Sequence, residues 1–442
     1  MLKTLRAILV VTVACAAFEA ALGEERFPPP EFTQGHTLPP TAQPAPRAGG
    51  WAYVDMAALT VALSLAAWLA LRKRSRRGVF LLMIGSLLYF GFWRRGCVCP
   101  IGATQDFTLA IFDTAYVMPL VVLVFFLLPL AFAAVFGRVY CSSVCPLGAA
   151  QDLVLFRPLK VPEWLEHALG LLPYVYLGTA VLMAAAGGAF IICQYDPFVA
   201  FFRLSGSANM LVFGASFLVI SMFVGRAYCR FLCPYSVLLN LFARLSRWRV
   251  TITPDECIQC RLCEDACPFG AIRKPTAGQI VRRTEGKARL AALVVLLPVL
   301  VAGVGWLGHL AGTGLALTNS TIRTADLVWQ DEHGDGQAEP VNEVIAFRKT
   351  GCPSEVLYAN ASVLRKEYER GGWLVGGWVG LVVGLKLVSL SIRRRRVDYE
   401  ADRAACVACA RCYSSCPREQ VRLQGSAAEN GAAKSVTMET QS

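Results

Sequence analysis

Apolar runs of roughly bilayer-spanning length alternate along the chain with short polar or basic stretches, at residues 52–71, 78–93, 116–136, 167–192, 208–224, 290–310 and 373–390. A helix rises about 1.5 Å per residue and the hydrocarbon core is about 30 Å thick, so each run reads as one transmembrane helix, with 78–93 on the short side. The basic blocks 72–77 and 393–396, and the Arg-rich stretch from Arg226 to Arg289, follow alternate runs. That placement marks those ends as cytoplasmic. The expected fold is a polytopic α-helical membrane protein of about seven spans.

Composition agrees with this pattern. The chain of 442 residues is 55% apolar and only 17% charged, against about 25% charged for a soluble domain. A net charge of +12 confined to short blocks beside apolar runs argues for a lipid bilayer as partner and against nucleic acid. Residues 1–23 carry Lys3 and Arg6, an apolar run and a small-x-small close, as a secretory signal does, whether cleaved or kept as an anchor. The Pro-rich segment 24–50 reads as a periplasmic linker, which leaves no room for a flavin-binding domain ahead of the first span. The remaining divisions are a membrane bundle 51–248, a cytoplasmic segment 249–287, spans at 288–310 and 371–392 that bracket an acidic periplasmic insert 311–370, a second cytoplasmic segment 393–422, and a polar tail 423–442 expected to be disordered. The setting is a bacterial inner membrane, crossed several times.

Cysteine adds the chemistry. Two distant stretches, Cys257-Ile-Gln-Cys260-Arg-Leu-Cys263-Glu-Asp-Ala-Cys267-Pro268 and Cys406-Val-Ala-Cys409-Ala-Arg-Cys412-Tyr-Ser-Ser-Cys416-Pro417, share the spacing CxxCxxCxxxCP. In a two-cluster ferredoxin, three thiolates of such a run hold one [4Fe–4S] cubane and the fourth reaches to the other. The expectation is two clusters, one on Cys257, Cys260, Cys263 and Cys416, the other on Cys406, Cys409, Cys412 and Cys267. Zinc ribbons lack the third and fourth positions. The ferredoxin-like domain is thus of the bacterial two-cluster type, cytoplasmic, and split by the inserted helix pair.

An internal repeat carries a second set. Gly137-Arg-Val-Tyr-Cys141-Ser-Ser-Val-Cys145-Pro146 matches Gly225-Arg-Ala-Tyr-Cys229-Arg-Phe-Leu-Cys233-Pro234, and Cys99-Pro-Ile-Gly-Ala-Thr-Gln-Asp106 matches Cys145-Pro-Leu-Gly-Ala-Ala-Gln-Asp152. Asp196-Pro-Phe takes the corresponding place in the second half. The pattern implies two helical hairpins of one design, related by a pseudo-two-fold axis. Cys141, Cys145, Cys229 and Cys233 are expected at the cytoplasmic face, either as ligands of an additional iron or copper centre, as redox-active thiols, or as small packing residues at helix breaks. Cys97, Cys99 and Cys193 fall at the outer face, where metal binding, a disulfide or packing are all open. Arg138 and Arg226 read chiefly as headgroup anchors, and Asp113 and Asp196 as solvated loop carboxylates. Histidine is scarce, and no haem or flavin is supported.

The CxxxCP pairs after membrane helices, Cys141 to Pro146 and Cys229 to Pro234, followed by CxxCxxCxxxCP runs, resemble the NosR/NapH family of membrane-bound polyferredoxins, and more distantly the cytochrome oxidase assembly protein CcoG. The resemblance covers roughly residues 75–275 and 400–420. It implies an integral-membrane electron-transfer subunit that passes single electrons between the quinone pool or a cytoplasmic donor and a membrane or periplasmic acceptor, with redox proteins and quinone as partners. The alternative is a copper- or metal-reducing assembly factor for a respiratory enzyme.

Overall fold

A computed structural model describes residues 49–96, 99–186, 190–203, 208–252, 257–276, 283–334, 341–392 and 396–422. The expectations for 1–23, most of 24–50, Cys97 and the tail 423–442 fall outside the described residues. What is described is almost wholly helical, with one two-stranded sheet.

Four helices are long and apolar enough to cross a membrane: Gly50–Arg72, Glu163–Ala185, Ala288–Ala316 and Ser354–Ser391. Leu120–Phe136 and Ala208–Phe223 are apolar but shorter. The run at 78–93 forms helix Arg76–Ser86, capped by Ser75, whose hydroxyl accepts the N–H of Gly78 at 3.2 Å, and continues through the wide turns of Leu87–Trp93. Inside the bundle, Asp55 is fully buried but paired, with Arg94 at 2.7 Å and the Tyr89 hydroxyl at 2.9 Å.

The segments that bear the paired cysteines are hairpins that dip into the bundle. Gly137, at φ +76°, ends Leu120–Phe136 and starts one of them. Arg138 at its beginning donates to the Ala404 carbonyl at 3.0 Å, and Asp152 at its end accepts from Arg411 at 3.0 Å, so both ends touch the second cysteine-rich segment. Cys145 lies at the turn, with Pro146 as first residue of the returning helix Pro146–Leu153. The second hairpin begins at Gly225, packed on Pro268, and returns to Trp248, whose N–H meets the Val135 carbonyl at 3.0 Å. Near its tip the Tyr235 hydroxyl donates to the Phe126 carbonyl at 2.7 Å. Phe126 is ten residues from Phe136, about 15 Å up the helix from the ferredoxin end. The Tyr235 side chain, two residues after Cys233, therefore reaches well inside the bundle.

Helices Arg283–Ala316 and Ser354–Ser391 pack along their length through glycines. A Cβ on Gly308 would fall 2.3 Å from the Gly372 carbonyl oxygen, and one on Gly376 2.3 Å from that of Val304. Such close approach is the usual route to tight helix pairing in lipid. Both helices extend past the expected spans 288–310 and 371–392. The region expected as the insert 311–370 is helical, with Ser320–His333 and Asn342–Lys349 laid against the extension of Ser354–Ser391 around a small core of Ile322, Val328, Val344 and Leu357.

Past this insertion, the two cysteine-rich segments join. Strands Ile272–Arg273 and Glu400–Ala401 pair antiparallel, with Ile272 opposite Ala401. Arg273 adds an ion pair to Asp402 at 3.1 Å. Ile272, Val407 and Tyr413 belong to the same continuous core as Leu63 and Phe126, so the joined unit is packed on the bundle.

Candidate functional site: two cysteine tetrads docked on a buried thiol quartet

Each ferredoxin run folds as a tight loop around a hollow. Gln259 and Arg261 in one run, and Ala408 and Ala410 in the other, occupy the same motif positions and all have positive φ, from 53° to 65°. Left-handed residues with a Cβ cost about 1 kcal/mol or more each, and they turn backbone N–H groups toward what the loop encloses. Cys263 lies among Cys257, Cys260 and Cys416, and these four line one hollow with Ile252, Ile258 and Tyr399. Cys406 and Cys412 gather with Cys409 and Cys267. The fourth cysteine of each run thus stands with the first three of the other.

Burial pushes the Cys263 thiol up to about 11 and that of Cys406 to about 12. The loops alone disfavour thiolates, and the positive charge of bound iron would reverse that. Among the described residues no three His, Cys, Asp or Glu side chains crowd closely enough to share one metal ion. A cubane has several irons that stand between its thiolates, and four cysteines gathered around a loop of this kind suit it. The crossing has a direct test. In a Cys406→Ala, Cys409→Ala background one ferredoxin cluster should remain, and low-temperature EPR should show Cys416→Ala abolishing its signal while Cys267→Ala spares it. The reverse outcome would mean that each run closes on itself.

Above this unit, Cys141, Cys145, Cys229 and Cys233 come together, each within electrostatic reach of the other three. Gln151 Nε2 donates to the Cys229 sulfur at 3.2 Å, and Arg138 Nη2 to that of Cys141 at 3.6 Å. Arg226, only 2% exposed, donates to the carbonyls of Cys141 and Ser142. The Nε atoms of Arg138 and Arg226 and the hydroxyl of Tyr228 are buried without a partner. Unmet donors around four thiols fit an anionic, sulfur-rich group better than plain packing. Headgroup anchoring is ruled out for both arginines, because the docked ferredoxin unit covers them.

One carboxylate ties the two levels. Asp152, with a side chain 0% exposed, pairs with Arg76 and Arg411 at 3.0 Å each and stands 3.7 Å from Arg226. Arg411 lies between Cys409 and Cys412, and Arg76 also donates to the Cys409 carbonyl at 3.2 Å. The tetrad of Cys406, Cys409, Cys412 and Cys267 is therefore the one seated against the quartet, while the other, with Cys260 exposed, faces away.

Comparison with known proteins supports 4Fe–4S binding. A 4Fe–4S binding domain model matches three times, at residues 78–115, 118–162 and 208–253, and a second 4Fe–4S binding domain model matches 250–273. An uncharacterized protein of Methanocaldococcus jannaschii is 30% identical over 191 residues, which take in 41% of this chain and 77% of that protein. YccM of Escherichia coli, provisionally described as an electron transport protein, is 32% identical over 25% of this chain and 34% of its own length. Protein NirI of Paracoccus denitrificans is 30% identical over 26% of this chain and 18% of its own. The chain belongs to the membrane-linked 4Fe–4S electron-transfer family of the NosR/NapH type. No solved structure matches it.

The expectation that Cys99 stands apart from the quartet, at the outer face, is corrected. Cys99 is within reach of Cys145 and Asp196, while Cys193, whose sulfur lies against Gly102, is exposed. Asp196 is buried at 4% exposure and is no solvated loop carboxylate. Cys99 and Cys352 are in no disulfide. Sequence reasoning assigned no role to Gln151 or Asp152, although the repeated Gln-Asp after each Cys-Pro was the signal that pointed to them.

Proposed function

We propose that the chain is an integral-membrane electron carrier. It takes single electrons at the exposed face of the ferredoxin unit and delivers them, through the bundle's buried cysteines, toward quinone or a protein acceptor at the far side, or runs in the opposite direction. [4Fe–4S] clusters, when bound, supply one-electron exchange without making or breaking bonds. The residues do the rest. Cys257, Cys260, Cys263 and Cys416 would hold the distal cluster, and Cys406, Cys409, Cys412 and Cys267 the proximal one. Cys141, Cys145, Cys229 and Cys233 would hold a further centre inside the bundle. Arg138, Arg226 and Asp152 keep the proximal tetrad seated below the quartet, and burial keeps water out. Placement of the ferredoxin unit on the cytoplasmic side of a seven-span bundle rests on the distribution of basic residues.

The observation that carries this reading is the meeting of the quartet with the proximal tetrad, joined by Arg138 between the Cys141 sulfur and the Ala404 carbonyl. A core of about 30 Å is too wide for one efficient electron transfer, so a centre at this depth is what a relay needs. The two CxxCxxCxxxCP runs favour clusters over copper delivery. Cys229→Ser in vesicles is expected to leave the EPR signals of both ferredoxin clusters intact and to abolish electron flow from a ferredoxin-side reductant to an oxidant on the other side. Undiminished flow would remove the relay.

A further inference from the structure

A shallow hollow lies at the seam between the ferredoxin unit and the bundle, walled by the turn after helix Leu120–Phe136 and by parts of 246–250 and 401–408. Each wall contributes an arginine: Arg138, Arg249 and Arg403. Arg138, 7% exposed, has both Nη atoms engaged, on the Ala404 carbonyl and the Cys141 sulfur, and adds its charge from the floor. Arg249 and Arg403 are exposed, and neither is ion-paired to a described carboxylate. Arg403 is drawn toward the bundle, because its Nη1 donates to the Arg244 carbonyl at 3.5 Å. The one carboxylate among the lining residues, Asp402, is taken up elsewhere. Arg273 holds its Oδ2 at 3.1 Å, and the N–H groups of Ala404 and Ala405 donate to its Oδ1 at 2.9 and 3.2 Å. The hollow is also lined by Ser246, a residue 4% exposed whose hydroxyl has no partner. Buried hydroxyls are ordinarily hydrogen-bonded, and this one shares its hollow with three guanidiniums.

Charge and size define what fits. Three guanidiniums call for an anion, and a planar guanidinium pairs with phosphate through two parallel N–H donors. A neutral quinone would answer none of that charge. The hollow measures about 260 Å³ even when the space open to solvent is counted, below the roughly 300–1,000 Å³ of a drug-sized pocket. It therefore takes a headgroup and leaves the rest of its ligand outside. An apolar remainder has somewhere to lie. Leu241, Leu245 and Trp248, just ahead of Arg249, are 58%, 70% and 63% exposed. The Trp248 ring meets that of Phe136 at the rim of the hollow, with centroids 5.3 Å apart. Exposed apolar side chains interleaved with the exposed Arg244, Arg247 and Arg249 form the pattern of a membrane interface that attracts anionic lipid.

We propose that this hollow binds the phosphate of an anionic phospholipid, held by Arg249, Arg403 and the Ser246 hydroxyl, with the acyl chains along Leu241, Leu245 and Trp248. One lipid then bridges the two parts of the molecule, since Arg249 follows the second hairpin and Arg403 belongs to the second cysteine-rich segment. It gives the ferredoxin unit a seat separate from Asp152, on the side where Cys406 lines the hollow. The site goes beyond the electron-carrier reading: it needs a bilayer, but neither the clusters nor the quartet.

The test uses the full chain, purified anaerobically in detergent and stripped of lipid, then titrated with phosphatidylglycerol, phosphatidylcholine or inorganic phosphate. Native mass spectrometry reads binding to the folded protein, so a loss of yield cannot pass for a loss of binding, and thermal unfolding reads the stabilisation. Phosphatidylglycerol is expected to bind and to raise the unfolding midpoint, while phosphatidylcholine and inorganic phosphate at the same concentration leave it in place. Arg249→Gln with Arg403→Gln should weaken phosphatidylglycerol binding roughly tenfold or more, the usual effect of losing charged hydrogen bonds, and Ser246→Ala should weaken it in the same direction. Arg244→Gln with Arg247→Gln removes the same charge outside the hollow and should leave the affinity nearly unchanged. Equal weakening by the two double variants would reduce the attraction to diffuse charge, and inorganic phosphate protecting as well as the lipid would make this a soluble-anion site. Either result overturns the proposal, as does the absence of any preference for phosphatidylglycerol over phosphatidylcholine.

Discussion

Asp152→Ala is expected to cost about 3–5 kcal/mol, the usual consequence of stripping the partner from a buried charge. It would leave Arg226, Arg76 and Arg411 without their common carboxylate, and Arg226 has nowhere to find water. Because the three arginines belong to the bundle, the second hairpin and the proximal cluster loop, the loss should loosen the seat of the ferredoxin unit as well as lower overall stability. Thermal unfolding in detergent, and limited proteolysis of the segment 396–422, would read both effects. Asp106→Ala is the matched control, since Asp106 holds the same motif position but accepts only the Tyr116 hydroxyl, at 3.1 Å, a bond worth about 1 kcal/mol. Equal effects of the two substitutions would mean that Asp152 is not the hub of the docking contact.

Gly376→Leu should be at least as damaging. The new side chain would meet the backbone of Val304, Gly305 and Gly308, which cannot rotate aside. Overpacking a well-filled site costs about 1–3 kcal/mol where side chains can yield, and here the two helices must separate. Ser354–Ser391 leads directly into the second cysteine run, so a shift of this pair also displaces Cys406, Cys409 and Cys412 from Cys267. The expected result is a lower yield of folded protein and selective loss of the proximal cluster's EPR signal. Gly303→Leu, on the same helix pair with open space around it, should be nearly silent. A normal proximal signal in Gly376→Leu would show that the helix pair does not set the register of the split ferredoxin.

Reading from sequence succeeded where chemistry is local. The two CxxCxxCxxxCP runs announce their loops because four thiols at that spacing, with a terminal proline, serve few other ends, and both loops adopt the same left-handed positions. The apolar runs announced the helices for an equally local reason, since a segment without charges has few places to go except lipid. The repeat was visible too, but its meaning was not. Cys99 was placed at the outer face by counting spans, whereas a hairpin that turns back after half a bilayer has no signature in hydropathy: Pro146–Leu153 and Tyr235–Ala243 are as apolar as surface half-helices would be. Arg138 and Arg226 were misread for a related reason, because an arginine at a helix end looks the same whether it meets a headgroup or another domain.

Residue order alone therefore determined the two four-cysteine runs, the helical character of the chain and the placement of its basic blocks, because each follows from neighbours within a dozen positions. That Cys99 joins the group around Cys145, which tetrad is seated on the bundle, and that Asp152 rather than Asp106 holds the two parts together were decided only in three dimensions. The partners of Asp152 lie from about 75 to more than 250 residues away, and the contacts among them depend on the glycine-packed helix pair that brings the two halves of the ferredoxin back to one place.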